Sequence, residues 1–232
     1  MVIGKNSPAS SLADIAAVVA ISALAFLGEL AVADYLPWGA EARGVVAVLA
    51  GAAAAIAITL GRGGGLADLG FRRPRRWVTV PLWALGILVV FVVAQNVVPL
   101  LVAPLFELPQ PDMSRYDVIR GNLAAALLFA VLLPLAAAVP EEILYRGFLI
   151  ARLTSLFGDA RGAAVYAVLA QGLIFGSVHF QWGVGGIVVT AIMGAIWGFA
   201  YLLCGRNLWI VILAHSMAHI ALVTQLYFSP PV

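Results

Sequence analysis

Apolar residues in this chain come in long, nearly unbroken runs, at about 11–33, 43–61, 79–105, 121–157, 162–180, 185–204 and 207–227, separated by short polar connectors. A bilayer core about 30 Å thick takes roughly 20 apolar residues as helix, so the runs predict membrane-spanning helices. A transmembrane barrel would instead show strands of about 10 residues alternating apolar and polar, and no such alternation occurs. The predicted fold class is therefore all-α: a polytopic transmembrane helix bundle of seven or eight spans. The fourth run is the odd one. Residues 121–157 would form about 55 Å of helix, with Pro134 and Pro140 inside it. It is either one kinked, protruding helix or two elements broken near Pro140, and that choice sets the span count.

Composition agrees with the pattern. The chain is 63% hydrophobic and 10% charged, against roughly 45–50% and about 25% in soluble domains. A net charge of +2 on so few charges gives no reason to expect a nucleic-acid partner. Five arginines within 62–76 flank a span and read as a topology signal. The segments 62–76, 152–161 and 205–206 carry arginine, whereas 34–42 and 181–186 carry none. With seven spans, the arginine-bearing segments fall together with Lys5 on one side, which the positive-inside rule makes the cytoplasm. The loop 106–120, holding Glu107, Asp112, Arg115, Asp117 and Arg120, falls on the other. The expected location is the cell membrane of a bacterium or archaeon, with the lipid bilayer as partner and an oligomeric state the sequence does not set. Residues 15–33 follow Lys5 and end in a small-x-small pattern, as a cleavable signal would. That stretch is long for a signal and contains Glu29, so a retained first span is expected. Cys204 is the single cysteine, which excludes an intrachain disulfide and a cysteine-rich metal site.

Few strongly polar residues remain after residue 121, and they form a set. AVPEEILYRG (138–147) carries Glu141, Glu142 and Arg146, and ionised groups in hydrocarbon cost several kcal/mol each. All three histidines lie in the same half: His179 at the end of GLIFGSVHF, and His215 and His219 in LAHSMAHI. His215 and His219, at i and i+4, share one helix face. Counted from the arginine-bearing side, Glu141 lies about 24 Å deep, His179 about 25 Å, His219 about 18 Å and His215 about 12 Å. Singly, each has a plain explanation. An intramembrane histidine can make a helix-packing hydrogen bond worth about 1 kcal/mol, and Glu142 and Arg146 can neutralise each other. Together, groups from separate helices at overlapping depths predict a shared site. Gly172-x-x-x-Gly176 and Gly194-x-x-x-Gly198 predict close helix approach, and Trp182, Trp197 and Trp209 read as interface anchors or packing residues.

A glutamate with several histidines in a dry cavity suits water activation. Desolvation raises the proton affinity of a carboxylate, fitting it to act as general base and then acid, while histidine can donate to a developing oxyanion. Alternatively, His179, His215 and His219 would hold zinc, leaving one position for water. The sequence contains no H-E-x-x-H, and no G-x-S-x-G elbow surrounds Ser177 or Ser216, so neither a zincin nor a serine-type site is expected.

EEILYR (141–146), FGSVH (175–179) and HSMAH (215–219), in that order, resemble E-E-x-x-x-R, F-x-x-x-H and H-x-x-x-N/hydrophobic. These are the motifs of the CPBP family, the CAAX proteases and bacteriocin-processing enzymes also called Abi proteins. The resemblance covers about 120–225, so 120–232 reads as the catalytic transmembrane region and 1–119 as N-terminal helices without a recognised motif. It implies an intramembrane endopeptidase acting on a membrane-associated, lipidated or leader-bearing protein. Carried over, Glu141 is the water-activating base, Glu142 and Arg146 a supporting pair, and His179 and His215 the groups that polarise water and the scissile carbonyl. At His219 many relatives have asparagine; histidine there keeps zinc open beside a metal-free glutamate mechanism. Two non-proteolytic alternatives stand beside this: a proton-coupled transporter using the same residues as a relay, and a scaffold or immunity partner. The absence of an inverted repeat argues against the transporter.

Overall fold

The structure, a computed structural model, describes residues 7–35, 44–106 and 113–230. Lys5, Glu107 and Asp112, used above to orient the chain, lie outside them. Helices and turns account for the described residues, with no strand among them. The main helices are α1 (Pro8–Val32), α2 (Val45–Gly61), α3 (Thr79–Phe106), α4 (Leu123–Phe157), α5 (Ala163–Ser177), α6 (Gly183–Leu203) and α7 (Leu208–Phe228). α1, α3, α4, α6 and α7 are long and apolar enough to cross a membrane. α2 and α5, with 17 and 15 residues, reach only about 25 and 22 Å. The seven or eight expected spans are thus seen as five full-length apolar helices and two short ones.

Local chemistry sets the helix ends. Ser7, Asn122 and Asn207 cap α1, α4 and α7 by accepting from backbone N–H groups of the first turn. At the start of α2 the carboxylate of Glu29, from α1, accepts from the Gly44 and Val46 N–H groups at 3.1 and 2.9 Å. This supplies the negative charge that a helix N-terminus favours.

α4 resolves the ambiguity of the fourth run: it is one helix. Pro134 and Pro140 each lack an N–H and crowd the carbonyl four residues back. The helix does not break but widens, adopting π spacing over Pro134–Ala138 and again over Glu142–Leu149. Such i→i+5 turns concentrate at functional sites. Every residue from Glu142 to Leu149 is buried, so this stretch lies at the centre of the bundle.

Around it, α1 runs along α2 and the end of α4, α5 packs between the end of α4 and α6, and α7 contacts α3 and the start of α4. The glycine pattern makes the α5–α6 contact a backbone contact. A Cβ on Gly176 would stand 2.5 Å from the Ile187 carbonyl oxygen, and one on Gly172 would stand 2.9 Å from that of Ala191. Outward-facing leucines such as Leu24, Leu82, Leu100, Leu127 and Leu173 are largely exposed, as a lipid-facing surface requires.

The arginine-bearing segments gather at one end. Asp14 of α1, 3% exposed, accepts from Arg62 Nε at 2.8 Å and from Arg152 Nε at 2.9 Å. The turn leading to α7 joins them: Asn207 Nδ2 donates to the Arg72 carbonyl at 3.0 Å, and Leu208 N–H to that of Gly70 at 2.9 Å. Asp14 had no role in the sequence reading.

Candidate active site

The wide turn beginning at Glu142 directs two ionisable side chains inward. Glu142 and Arg146 are both fully buried, with Arg146 Nη1 3.1 Å from Glu142 Oε1. Unpaired, either charge would cost several kcal/mol in a dry interior. The same oxygen receives a second partner from α7: His215 Nδ1 lies 2.8 Å away. A carboxylate can only accept, so Nδ1 carries the proton, and in the neutral ring Nε2 is the unprotonated nitrogen. That nitrogen lies 3.9 Å from Glu141 Oε2. The gap is too long for a direct hydrogen bond, yet short enough for one oxygen atom to touch both groups. Glu141 is the more open carboxylate, its side chain 16% exposed against 0% for Glu142.

Aromatic rings hold this cluster. His215 stacks on Trp197, centroids 5.1 Å apart and 26° between planes, and Phe91 covers the same indole at 5.1 Å. Trp197 is 2% exposed, so it is a wall of the site and no interface anchor. Trp209, 41% exposed and edge-on to Phe71 at 5.2 Å, fits the interface better. The Arg146 guanidinium lies 4.9 Å over the Phe175 ring, and its Nη2 reaches the Gly194 carbonyl at 3.4 Å. Phe175 in turn packs against His179 at 4.6 Å, and His179 against Trp182 at 4.7 Å.

His179 stands just past the end of α5, its Nδ1 2.7 Å from the Phe175 carbonyl. A carbonyl also only accepts, so this Nδ1 carries the proton as well. The bond satisfies a helix-end carbonyl and fixes the ring orientation. His219 lies beside His215 with centroids 4.6 Å apart, the i, i+4 arrangement its spacing predicted, and its Nδ1 is buried without a hydrogen-bond partner among the described residues.

The structure therefore brings together Glu141, Glu142, Arg146 and His215, continues that row to His219, and links His179 to it through Phe175. The sequence paired the histidines with Glu141; the direct hydrogen bond to His215 belongs instead to Glu142, the carboxylate turned into the core. Among the described residues no three His, Cys, Asp or Glu side chains converge as a metal-holding group. Phe175 and Trp197 were missed because an aromatic residue in an apolar helix looks like core packing; only the F-x-x-x-H spacing hinted at Phe175.

No curated protein and no solved structure matches the chain. Residues 123–221, the stretch that holds Glu141, Glu142, Arg146, Phe175, His179, Trp197, His215 and His219, match the model of the family described as Type II CAAX prenyl endopeptidase Rce1-like, in agreement with the CPBP/CAAX-protease resemblance of its motifs.

Proposed function

We propose that the protein is an intramembrane endopeptidase in which Glu141 activates water and His215, held by Glu142 and Arg146, carries protons. The observation that carries this reading is one imidazole addressed by two adjacent carboxylates, at 2.8 and 3.9 Å, inside the family-matching stretch. Glu142 fixes the tautomer and tilt of His215, and Arg146 pairs with the same Glu142 oxygen at 3.1 Å. Nε2 of His215 and the carboxylate of Glu141 then face a shared volume in which an attacking water would touch both.

In the reaction, Glu141 removes a proton from water as its oxygen bonds to the scissile carbonyl carbon. The carbonyl π electrons move onto oxygen, forming an oxyanion. His179, whose Nδ1–H is committed to the Phe175 carbonyl, presents Nε2 and, when protonated, stabilises that oxyanion. Collapse of the intermediate breaks the C–N bond, and the proton taken by Glu141 passes to the leaving amine, directly or through His215. No step of this scheme runs through a metal. The substrate is a protein whose cleaved segment reaches the bundle interior: a lipidated C-terminal peptide, a leader or an anchor tail. The short helices α2 and α5 complete seven passes, with the arginine-bearing end in the cytoplasm.

The test compares membrane proteomes of cells carrying wild type, Glu141→Gln and His215→Asn by mass spectrometry of protein termini. A substrate that accumulates uncut in both variants, and is cut by the purified wild-type protein in the presence of a strong chelator, is the expected result. Unimpaired cleavage by Glu141→Gln, or loss of wild-type cleavage on chelation with recovery on adding zinc, would overturn the mechanism.

A further inference from the structure

At the arginine-bearing end of the bundle lies a small cavity of about 30 Å³. Arg72, Arg146, Arg152 and Arg206 line it, together with Tyr201 and Asp68. The arginines come from distant parts of the chain, and the backbone that carries them is fixed. The Arg72 carbonyl is bound by the buried Asn207 side chain at 3.0 Å. The turn over the cavity presses on α4 so closely that a Cβ on Gly147 would lie 2.5 Å from the Leu69 carbonyl oxygen.

Charge within this group does not cancel. Arg146 is matched by Glu142, and Asp14 is shared between Arg152 and Arg62. With Asp68 also counted, five arginines meet three carboxylates, leaving two positive charges around one small volume. A second, independent observation concerns Arg206. Its φ is +58°, and it is the one non-glycine residue with positive φ among the described residues. That conformation costs an L-residue roughly 1–2 kcal/mol and suits glycine, which occupies the preceding position with φ +73°. Arg206 thus combines a strained backbone, of the kind that clusters at functional sites, with a side chain that lines a cationic cavity.

We infer that this cavity is a binding site for a phosphoryl oxyanion, taken by the guanidinium groups of Arg72 and Arg206 beside the Tyr201 hydroxyl. Planar guanidinium forks match phosphate oxygens in pairs. A phosphoryl group carries enough charge and acceptor oxygens to engage forks from two segments at once. Its source is either an anionic phospholipid headgroup at the membrane surface or free phosphate. The inference does not depend on the proteolytic reading, since neither Arg72 nor Arg206 has a role in that scheme.

The test uses the full-length protein in a phosphate-free maltoside detergent. Its melting temperature is followed while inorganic phosphate, or phosphatidylglycerol in mixed micelles, is titrated. A saturable rise is expected with at least one of them: with phosphate, the free anion suffices; with phosphatidylglycerol alone, the lipid headgroup is the source. In Arg206→Gly and Arg72→Gln the apparent affinity should fall roughly tenfold, the effect of losing one charged hydrogen-bonding group. Arg206→Gly relieves the backbone strain, so it should melt no lower than wild type without ligand. No rise with either probe, an undiminished rise in both variants, or an equal rise with acetate at matched ionic strength would each overturn the inference. The last outcome would point to a peptide carboxylate.

Discussion

Replacing Arg146 by methionine isolates the electrostatic core of the site. The substitution keeps much of the side-chain length and an apolar contact for the Phe175 ring, 4.9 Å from the guanidinium, but removes the cation. Glu142 is fully buried and its Oε2 already lacks a hydrogen-bond partner among the described residues. After the change it keeps only His215, at 2.8 Å. Removing one partner of a buried pair costs about 3–5 kcal/mol because the other charge is left uncompensated. The lost cation–π contact adds about 0.5–2 kcal/mol, partly offset by sulfur–aromatic packing, so the electrostatic effect dominates. Adding Glu142→Gln removes the stranded charge, and the double variant should return to within about 1–2 kcal/mol of wild type. Unfolding in mixed micelles, followed by tryptophan fluorescence (Trp197 reports directly on His215), gives the three free energies and their coupling. If Arg146→Met alone costs under about 1 kcal/mol, or the double variant shows simple additivity, the pair is not the buried ion pair described here.

Two further perturbations address the scaffold. Gly176→Ala should lower stability by about 1–3 kcal/mol, the usual range for overpacking, because its Cβ meets the Ile187 carbonyl oxygen at 2.5 Å and Ala191 Cβ at 2.6 Å. Gly86→Ala, in α3 with nothing within 4 Å of the new Cβ, should be stabilising by up to about 1 kcal/mol; equal effects at the two positions would refute the close α5–α6 contact. Asp14→Asn should cost roughly 2–3 kcal/mol, less than a wholly buried pair because Arg62 is 42% exposed, and should open α1 to added protease. Unchanged proteolysis and melting would show that α1 is held by apolar packing alone.

Much of this was legible in the sequence, for definite reasons. Hydrocarbon demands uninterrupted apolar runs, so the runs mark the helices to within a few residues, while the two prolines of the 121–157 run left open whether it is one helix or two. Depth follows from counting 1.5 Å per residue, which is why Glu141, His179, His215 and His219 were expected at one site. Counting gives height along a helix but not direction around it in a bundle of unknown packing. The reading therefore gave His215 to Glu141, whereas the widened turn aims Glu142 at it. The Asp14 clamp was hidden for a different reason. Its arginine partners lie 48 and 138 positions away, and a single aspartate in a first span has no local pattern to announce it. Phe175 and Trp197 were hidden by their surroundings, since their chemistry is that of any core residue until a charged neighbour is placed on the ring.

The two wide turns of α4 have a further consequence, for how such a helix tolerates length changes. A π turn closes its hydrogen bond over one residue more than an α turn, so it can be viewed as an insertion that the helix absorbed without expelling a loop. Deleting one residue between Pro134 and Ala138 would let that turn relax to α spacing, and because the wide turn already absorbs the extra residue's rotation of about 100°, the two halves would keep nearly the same facing. The half that meets α7 and the half that bears the carboxylates are thus kept in phase by the width of the turn rather than by any particular side chain. A single-residue deletion in this stretch would therefore leave the facing of Glu141 and Glu142 nearly unchanged, whereas one in the α-spaced turns of Leu123–Leu133 would rotate the residues before it by about 100° relative to the carboxylates.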